Sequence, residues 1–388
     1  MVTAVYTILI LANFDPTRSF GTMRRTQRIL KGLTAHGWAV SAIYERSRTP
    51  GDASEWIVAE ARSEVVETDL DYASVELLDP TNLAEIRRKE SRKAIALDKV
   101  LKHSAPDCAW MPFPSHEFVS WALGRRNQAK LVREAGIPLV LDVQGVEARL
   151  LQSPILQFGS LTCEIRAVCR CDGAVFVDRY PWRVFADFVP GPSALIPNGI
   201  DTDFFRPGPN DRQETVTFVG RLSSERGIWT FLRAARELRG RNIPLVVAGS
   251  GPDYVRALRF CRANDLDVRF VGLLRPEDLL TVYRQSMVIA NPLEIDGVSL
   301  ASLEGMACGT AVVKSRDRSG DDLLGHGETA LLVKRGDWKS LAEVIAALVD
   351  DAGLRKRLAK AGRAYVVENH SSTSEIDRIE KFLERVVR

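Results

Sequence analysis

Two arginines, Arg221 and Arg226, stand five residues apart in FVGRLSSERG (218–227), where an apolar run ends in glycine and a helical pattern begins. Guanidinium forks pair with phosphate oxygens and neutralise their charge. At a strand–helix turn this spacing suits a diphosphate; two solvated surface arginines are the plainer alternative. Gly220 lets the backbone turn tightly there and approach a ligand. Further on, NPLEIDGVSLASLEGMACGTAVV (291–313) carries Asp296 and Gly297 in a loop, a helix start near Val298, Ser299 and Leu300, and Glu304 two turns into that helix. Free N–H groups at a helix start are a natural seat for phosphate. Two acids eight residues apart can meet opposite ends of one elongated ligand. The competing readings are a helix cap for Asp296 and a satisfied polar residue on a mostly buried helix for Glu304; a buried carboxylate needs a donor either way. VVAGSGP (246–252), with Gly249, and FVGLL (270–274), with Leu273 and Leu274, repeat the strand–glycine theme. A lone G-x-G is a weak signal.

The elements that must position these loops follow one pattern. Short continuous apolar runs, as in YTILILA (6–12), AVSAIY (39–44), DCAWM (107–111), PLVLDV (138–143) and AVFV (174–177), read as strands buried on both faces. A further strand is expected at 65–67, and helical patterns at 22–36, 82–103, 115–135 and 160–171. Pro190-Gly191-Pro192-Ser193 reads as the linker. The alternation then restarts, with runs at 215–219, 244–248, 268–271, 287–290, 310–313 and 330–333. Alternating strands and helices imply parallel sheets covered on both faces. The reading is an α/β chain of two doubly wound domains, 1–190 and 191–370, with an amphipathic helix at 371–388 crossing back to the first. Ligands in such sheets bind outside the carboxyl ends of the strands, here expected in a central cleft that closes about the 190–193 stretch.

The chain's 388 residues fit two domains at roughly 150 residues each. With 45% hydrophobic and 27% charged residues it is neither disordered nor fibrous. A net charge of +3 argues against a general nucleic-acid binder. Six cysteines form no C-x-x-C pair and read as buried free thiols; Cys169 and Cys171 alone lack zinc spacing, so no metal is expected. The run from Val5 to Ala12 is too short to span a bilayer and lacks a basic flank, which favours the cytoplasm. Arg18, Arg24, Arg25, Arg28 and Lys31, with further basic residues between 84 and 133, read either as a patch for the anionic inner face of a membrane or as solvated charged faces. Trp38, Trp110, Phe113 and Trp121 read as core, and His103 and His116 as weak candidates for a role in the loops of the first domain.

The second half resembles the nucleotide-sugar domain of retaining glycosyltransferases of family 4 (glycosyl transferases group 1), which have the GT-B fold. The resemblance is carried by IPNGIDTDFFRP (196–207), VGRLSSERG, VVAGSGP, EDLLTVYRQSMVIANP (277–292), DGVSLASLEGMACGTAVV (296–313) and HGETALLVKRGD (326–337), in the family's order and spacing. The first half is looser: the opening strand, AHGWAV (35–40) and CDGAVFV (171–177). The resemblance implies that Arg221 and Arg226 hold the donor diphosphate, that backbone groups of Gly297, Val298, Ser299 and Leu300 contact phosphates and sugar, and that Glu304 binds the ribose. It places the base near Leu273 and Leu274, Asp296 beside the transferred sugar, and Gly21 and Thr22 in a first loop facing donor and acceptor. Five departures stand out: Arg226 for the usual lysine, Asp296 for glutamate, Gly305 for alanine, one glycine in Phe20-Gly21-Thr22 where two are common, and Gln144 in LDVQGVEAR (141–149) where many relatives carry histidine. Glutamine hydrogen-bonds but does not shuttle a proton.

The implied reaction moves a sugar from a nucleoside-diphosphate sugar, such as a UDP-sugar, to a hydroxyl of a glycan, a lipid-linked glycan or a small molecule. It retains the anomeric configuration and needs no metal or other cofactor. Two rival readings are a nucleotide-sugar epimerase on the same scaffold, for which DGVSLASLE is the wrong loop, and a catalytically weak partner subunit that keeps the donor site.

Overall fold

The computed structural model describes residues 6–11, 20–45, 65–68, 97–98, 101, 105–112, 128–146, 154–208, 214–295, 297, 299–317 and 324–388. The expectations for Arg18, His103, Phe113, His116 and Trp121, and most of the 82–103 helix, lie outside them. The chain forms two units: Met1–Asn198 with Glu375–Arg388, and Gly199–Ser374.

The first unit runs β1 (Thr7–Leu11), α1 (Phe20–Ala35), β2 (Ala39–Glu45), β3 (Val65–Thr68), β4 (Cys108–Pro112), α2 (Gln128–Glu134), β5 (Leu139–Val143), α3 (Pro154–Val168), β6 (Gly173–Phe176), α4 (Arg179–Phe185) and β7 (Ser193–Leu195). The strands form a parallel sheet in the order β3-β2-β1-β4-β5-β6-β7. Their side chains alternate between two cores. Leu9, Leu11, Leu139, Leu141 and Val143 enter one; Ile8, Ile10, Trp110 and Val140 enter the other, beside Ile29 and Leu33 of α1. Trp38 and Trp110 are core residues. All six cysteines are free, and burial pushes the Cys108 and Cys171 thiols up to about 12.

The second unit runs β8 (Thr215–Val219), α5 (Ile228–Glu237), β9 (Leu245–Ala248), α6 (Tyr254–Ala263), β10 (Val268–Gly272), α7 (Pro276–Gln285), β11 (Ser286–Asn291), α8 (Leu300–Ala307), β12 (Ala311–Ser315), β13 (Leu331–Val333), α9 (Trp338–Asp350) and α10 (Ala352–Asn369). Its six-stranded parallel sheet has the order β10-β9-β8-β11-β12-β13. Val216, Phe218, Val288, Ala290 and Val313 pack on one face, and Val219, Ile289 and Val312 on the other. The strand order reverses between β8 and β11, so the loops leaving those two strands flank the position where open α/β sheets take ligands.

The last helix, α11 (Ser372–Val387), packs Ile376, Ile379, Phe382 and Leu383 into the first unit's core. Gly32 on α1 makes this close approach feasible, since a Cβ there would lie 2.4 Å from Ile376.

Two sequence expectations change. Pro190–Pro192 lie within the first unit rather than between the units. They lead into β7, whose Ser193–Leu195 pair in register with Ala174–Phe176 of β6, and Gly191 sits so close to Asp172 that a Cβ would meet its carbonyl at 1.9 Å. Arg25 is not part of a surface patch. It is fully buried, its Nε donating to both Asp142 oxygens (3.1 and 3.0 Å) and its Nη1 pairing with Glu375. Nη2 donates to the Ile196 carbonyl at 3.2 Å, and Arg28 donates to the other Glu375 oxygen at 2.9 Å. Both carboxylates together hold the Arg25 guanidinium firmly charged against the opposing cost of burial.

Candidate active site

Three strands of the second unit end in glycine: Gly220 after β8, Gly249 after β9 and Gly272 closing β10. Their backbones interlock, Gly220 N donating to Ala248 O (2.9 Å) and Gly249 N to Gly272 O (2.7 Å). Gly249 has φ 138°, and a Cβ there would stand 1.9 Å from Gly220 O. Gly249→Ala is therefore expected to destabilise the unit by strain and overlap of about 1–3 kcal/mol each. A urea midpoint equal to wild type would contradict this packing.

Arg221 is exposed and Arg226 partly buried. Among the described residues neither guanidinium has a hydrogen bond or ion pair. Burial pulls the Arg226 guanidinium below its ordinary pKa; Glu225 opposes this and the like charge of Arg221 adds to it. Glu225 is itself engaged, accepting from the Ser223 hydroxyl at 2.6 Å. Two cations held within mutual influence, with no described carboxylate bound to either, form a site that an anion stabilises.

The turn after Arg226 joins this pair to the loop leaving β11. Gly227 adopts φ 83°, and a Cβ would collide with Pro292 O at 1.8 Å. Glu294 N donates to Glu225 O at 3.0 Å, and the Glu294 carboxylate accepts from Thr230 at 2.7 Å. Glu294 is thus a structural acid here. Asn291, at the end of β11, bridges the Val219 backbone to the Ser302 hydroxyl with its side-chain amide. Ser299 caps α8, its Oγ accepting from Ser302 N at 3.0 Å. The amides of Ser299, Leu300 and Ala301 have no acceptor among the described residues, which is the arrangement an anion needs. The Gly297 amide is not in that set, because it donates to Asp317 Oδ1 at 3.0 Å.

Glu304 is buried and accepts from the Tyr283 hydroxyl at 2.6 Å. Phe205 of the IDTDFF segment packs edge-on against Tyr283, so that motif supports the acid from below. Gly305 brings α8 close to β11: a Cβ would lie 2.8 Å from Ile289. Leu273 is exposed and Leu274 half-buried beyond β10. Asp296 and Val298 lie outside the described residues.

Three candidates belong to the first unit. Gly21 and Thr22, expected in a loop, fall in the first turn of α1, which begins at Phe20. Gln144 follows β5, its Nε2 donating to Asp142 Oδ2 at 2.9 Å. Sequence reasoning passed over Asn291, Thr230, Tyr283, Lys314 and Asp317. Only the polar break in each apolar run could have signalled Asn291 and Lys314.

Residues 199–365 match the family model described as glycosyl transferases group 1. The match covers nearly the whole of the second unit. Among curated proteins, the chain is 30% identical over 226 residues to the GDP-mannose-dependent alpha-(1-6)-phosphatidylinositol monomannoside mannosyltransferase of Mycolicibacterium smegmatis, covering 51% of this chain and 58% of that one. It is 31% identical over 186 residues to the D-inositol 3-phosphate glycosyltransferase of Corynebacterium jeikeium, covering 42% and 44%. The chain thus spans about half the length of the curated relatives it matches. Solved structures extend the likeness beyond the group 1 domain. Sucrose-phosphate synthase of Thermosynechococcus elongatus superposes with a TM-score of 0.79 at 19% identity, over 98% of this chain and 99% of that one. Anabaena HepE in complex with UDP and glucose gives 0.74 at 16% identity, over 97% and 99%. The two Rossmann-like sheets are those of the GT-B fold.

Among the described residues no helix is long and apolar enough to cross a membrane.

Proposed function

We propose that this protein transfers a sugar from a nucleoside-diphosphate sugar to a hydroxyl acceptor, with retention at the anomeric carbon. The observation that carries the reading is the pair Arg221 and Arg226, free of carboxylate partners among the described residues, joined by the Glu225–Glu294 backbone bond to the loop that leads into α8.

Breaking the bond between the anomeric carbon and the diphosphate builds positive charge on the sugar and negative charge on the leaving oxygen. Donors already aimed at that oxygen lower the barrier most. The two guanidinium groups and the amides of Ser299 and Leu300 are those donors, and they supply the positive charge without a metal. The acceptor oxygen attacks from the face the diphosphate leaves, and its proton passes to the departing phosphate. Glu304 takes the ribose hydroxyls, Leu273 and Leu274 meet the base, and Asp296 lies beside the sugar. Gln144 offers its carbonyl oxygen, while its NH2 group donates one hydrogen bond to Asp142. The acceptor is a glycan, lipid-linked glycan or small molecule, met at the cytoplasmic face of a membrane in the lipid-linked case.

The test is a thermal-shift series with UDP, GDP and their sugars, followed by analysis of the product anomer. The relatives' printed names put GDP-mannose and inositol phosphates first among pairs to try. A true donor at 100 times its Kd adds about 2.7 kcal/mol of stability. Turnover is expected to survive EDTA and to yield the donor's own anomeric configuration. No shift with any nucleoside diphosphate would sink the reading.

A further inference from the structure

Lys314 is among the largest fully buried side chains of the protein, yet it is charged and stands near the carboxyl end of β12. In the sheet it lies opposite Asn291, the residue from which the donor loop departs. Its Nζ is 3.3 Å from Asp317 Oδ1, with the two side chains 1% and 6% exposed. That same oxygen accepts the Gly297 amide at 3.0 Å. Gly297 has φ 103°, so the loop turns at the point where the carboxylate grips it. A second grip lies three residues earlier, where Arg335 Nη1 donates to Glu294 O at 3.0 Å. Burying a lysine and an aspartate is costly unless each compensates the other. A methyl-bearing strand end would fill the same space without that cost, so the charge pair serves the loop it holds.

We propose that Asp317, itself held by Lys314, is a positioning residue of the donor site: by taking the Gly297 amide it fixes the loop between β11 and α8 so that the amides of Ser299 and Leu300 face the diphosphate. The inference rests on the donor reading above and adds to it two residues that touch no substrate. A carboxylate at this point is required for its oxygen, which accepts from Gly297, and Lys314 is required to neutralise that carboxylate.

Neutral variants separate these roles. In K314M/D317N the charge pair is gone but an oxygen remains for Gly297; in K314M/D317A neither remains. Both remove the two members of the buried pair together, so neither leaves one of the two facing the other's empty place. Titration calorimetry with UDP, GDP, uridine and guanosine reads the outcome. K314M/D317A is expected to lose at least tenfold in affinity for the nucleoside diphosphate that wild type binds, with nucleoside affinity changed less than twofold. K314M/D317N is expected to recover at least fivefold of that loss. General damage to the fold would weaken nucleoside and diphosphate alike and would overturn the proposal, as would equal diphosphate affinities in the two variants. Failure of wild type to bind any nucleoside diphosphate would overturn the donor reading itself, and this inference with it.

Discussion

An Arg226→Ala protein is expected to lose two to three orders of magnitude in kcat while folding as well as wild type. The magnitude follows from the charge it removes. One donor aimed at a developing oxyanion is worth about 2.7–4 kcal/mol, or about a hundred- to thousandfold in rate. The loss should fall on kcat more than KM, because the leaving phosphate carries most charge in the transition state. Stability should hold because Arg226 has no ion-pair partner to orphan among the described residues, and its removal relieves the repulsion from Arg221. Arg226→Lys restores the charge but not the fork, so it should fall between the two. Steady-state kinetics with the donor found by thermal shift decide the matter. A kcat within threefold of wild type for the alanine variant would remove Arg226 from the chemistry.

The second large effect is on folding. Replacing Arg25 by methionine leaves Asp142 without its two-bonded partner and takes from Glu375 a cation that pairs with it beside Arg28. Removing one member of a buried charged cluster costs about 3–5 kcal/mol. Burial already pushes the Asp142 carboxyl above its ordinary range, with Arg25 the main opposing influence. Without Arg25 the folded-state pKa rises further above the unfolded one, so the deficit is greatest at neutral pH and shrinks as pH falls and the carboxyl takes a proton. Urea unfolding followed by the fluorescence of Trp38 and Trp110, both core residues of the same unit, measures this. A midpoint unchanged at pH 7 would mean that the cluster contributes no net stability.

These two arginines also show what the sequence could and could not disclose. Arg226 is legible because its meaning is local: a strand end, a glycine and a helix start within ten residues. The strands are legible for a related reason, since parallel strands buried on both faces must be continuously apolar. Arg25 reads as one more basic residue on an amphipathic helix, because its partners lie 117 and 350 residues away. The need of Glu304 for a donor was clear from its helix, but Tyr283 as that donor follows only from the packing of α7 beside α8. β7 escaped notice because three residues after Pro-Gly-Pro show no period at all; only the ladder to β6 makes them a strand. Lys314 and Asp317 were hidden by their ordinary appearance at the end of an apolar run.

The discontinuity of the first unit sets an order of assembly on the ribosome. Its sheet is formed within residues 1–198, but Glu375 and the part of the last helix that covers α1 come only with residues 375–388. The second unit is a single uninterrupted stretch whose own ends are tied by the bridge between Ile200 and Ser371. During synthesis the later-made lobe can therefore close as soon as it emerges, since domains fold as units. The earlier-made one waits, with Arg25 and Arg28 lacking their shared carboxylate, until residues 375–388 have emerged and return to seal it.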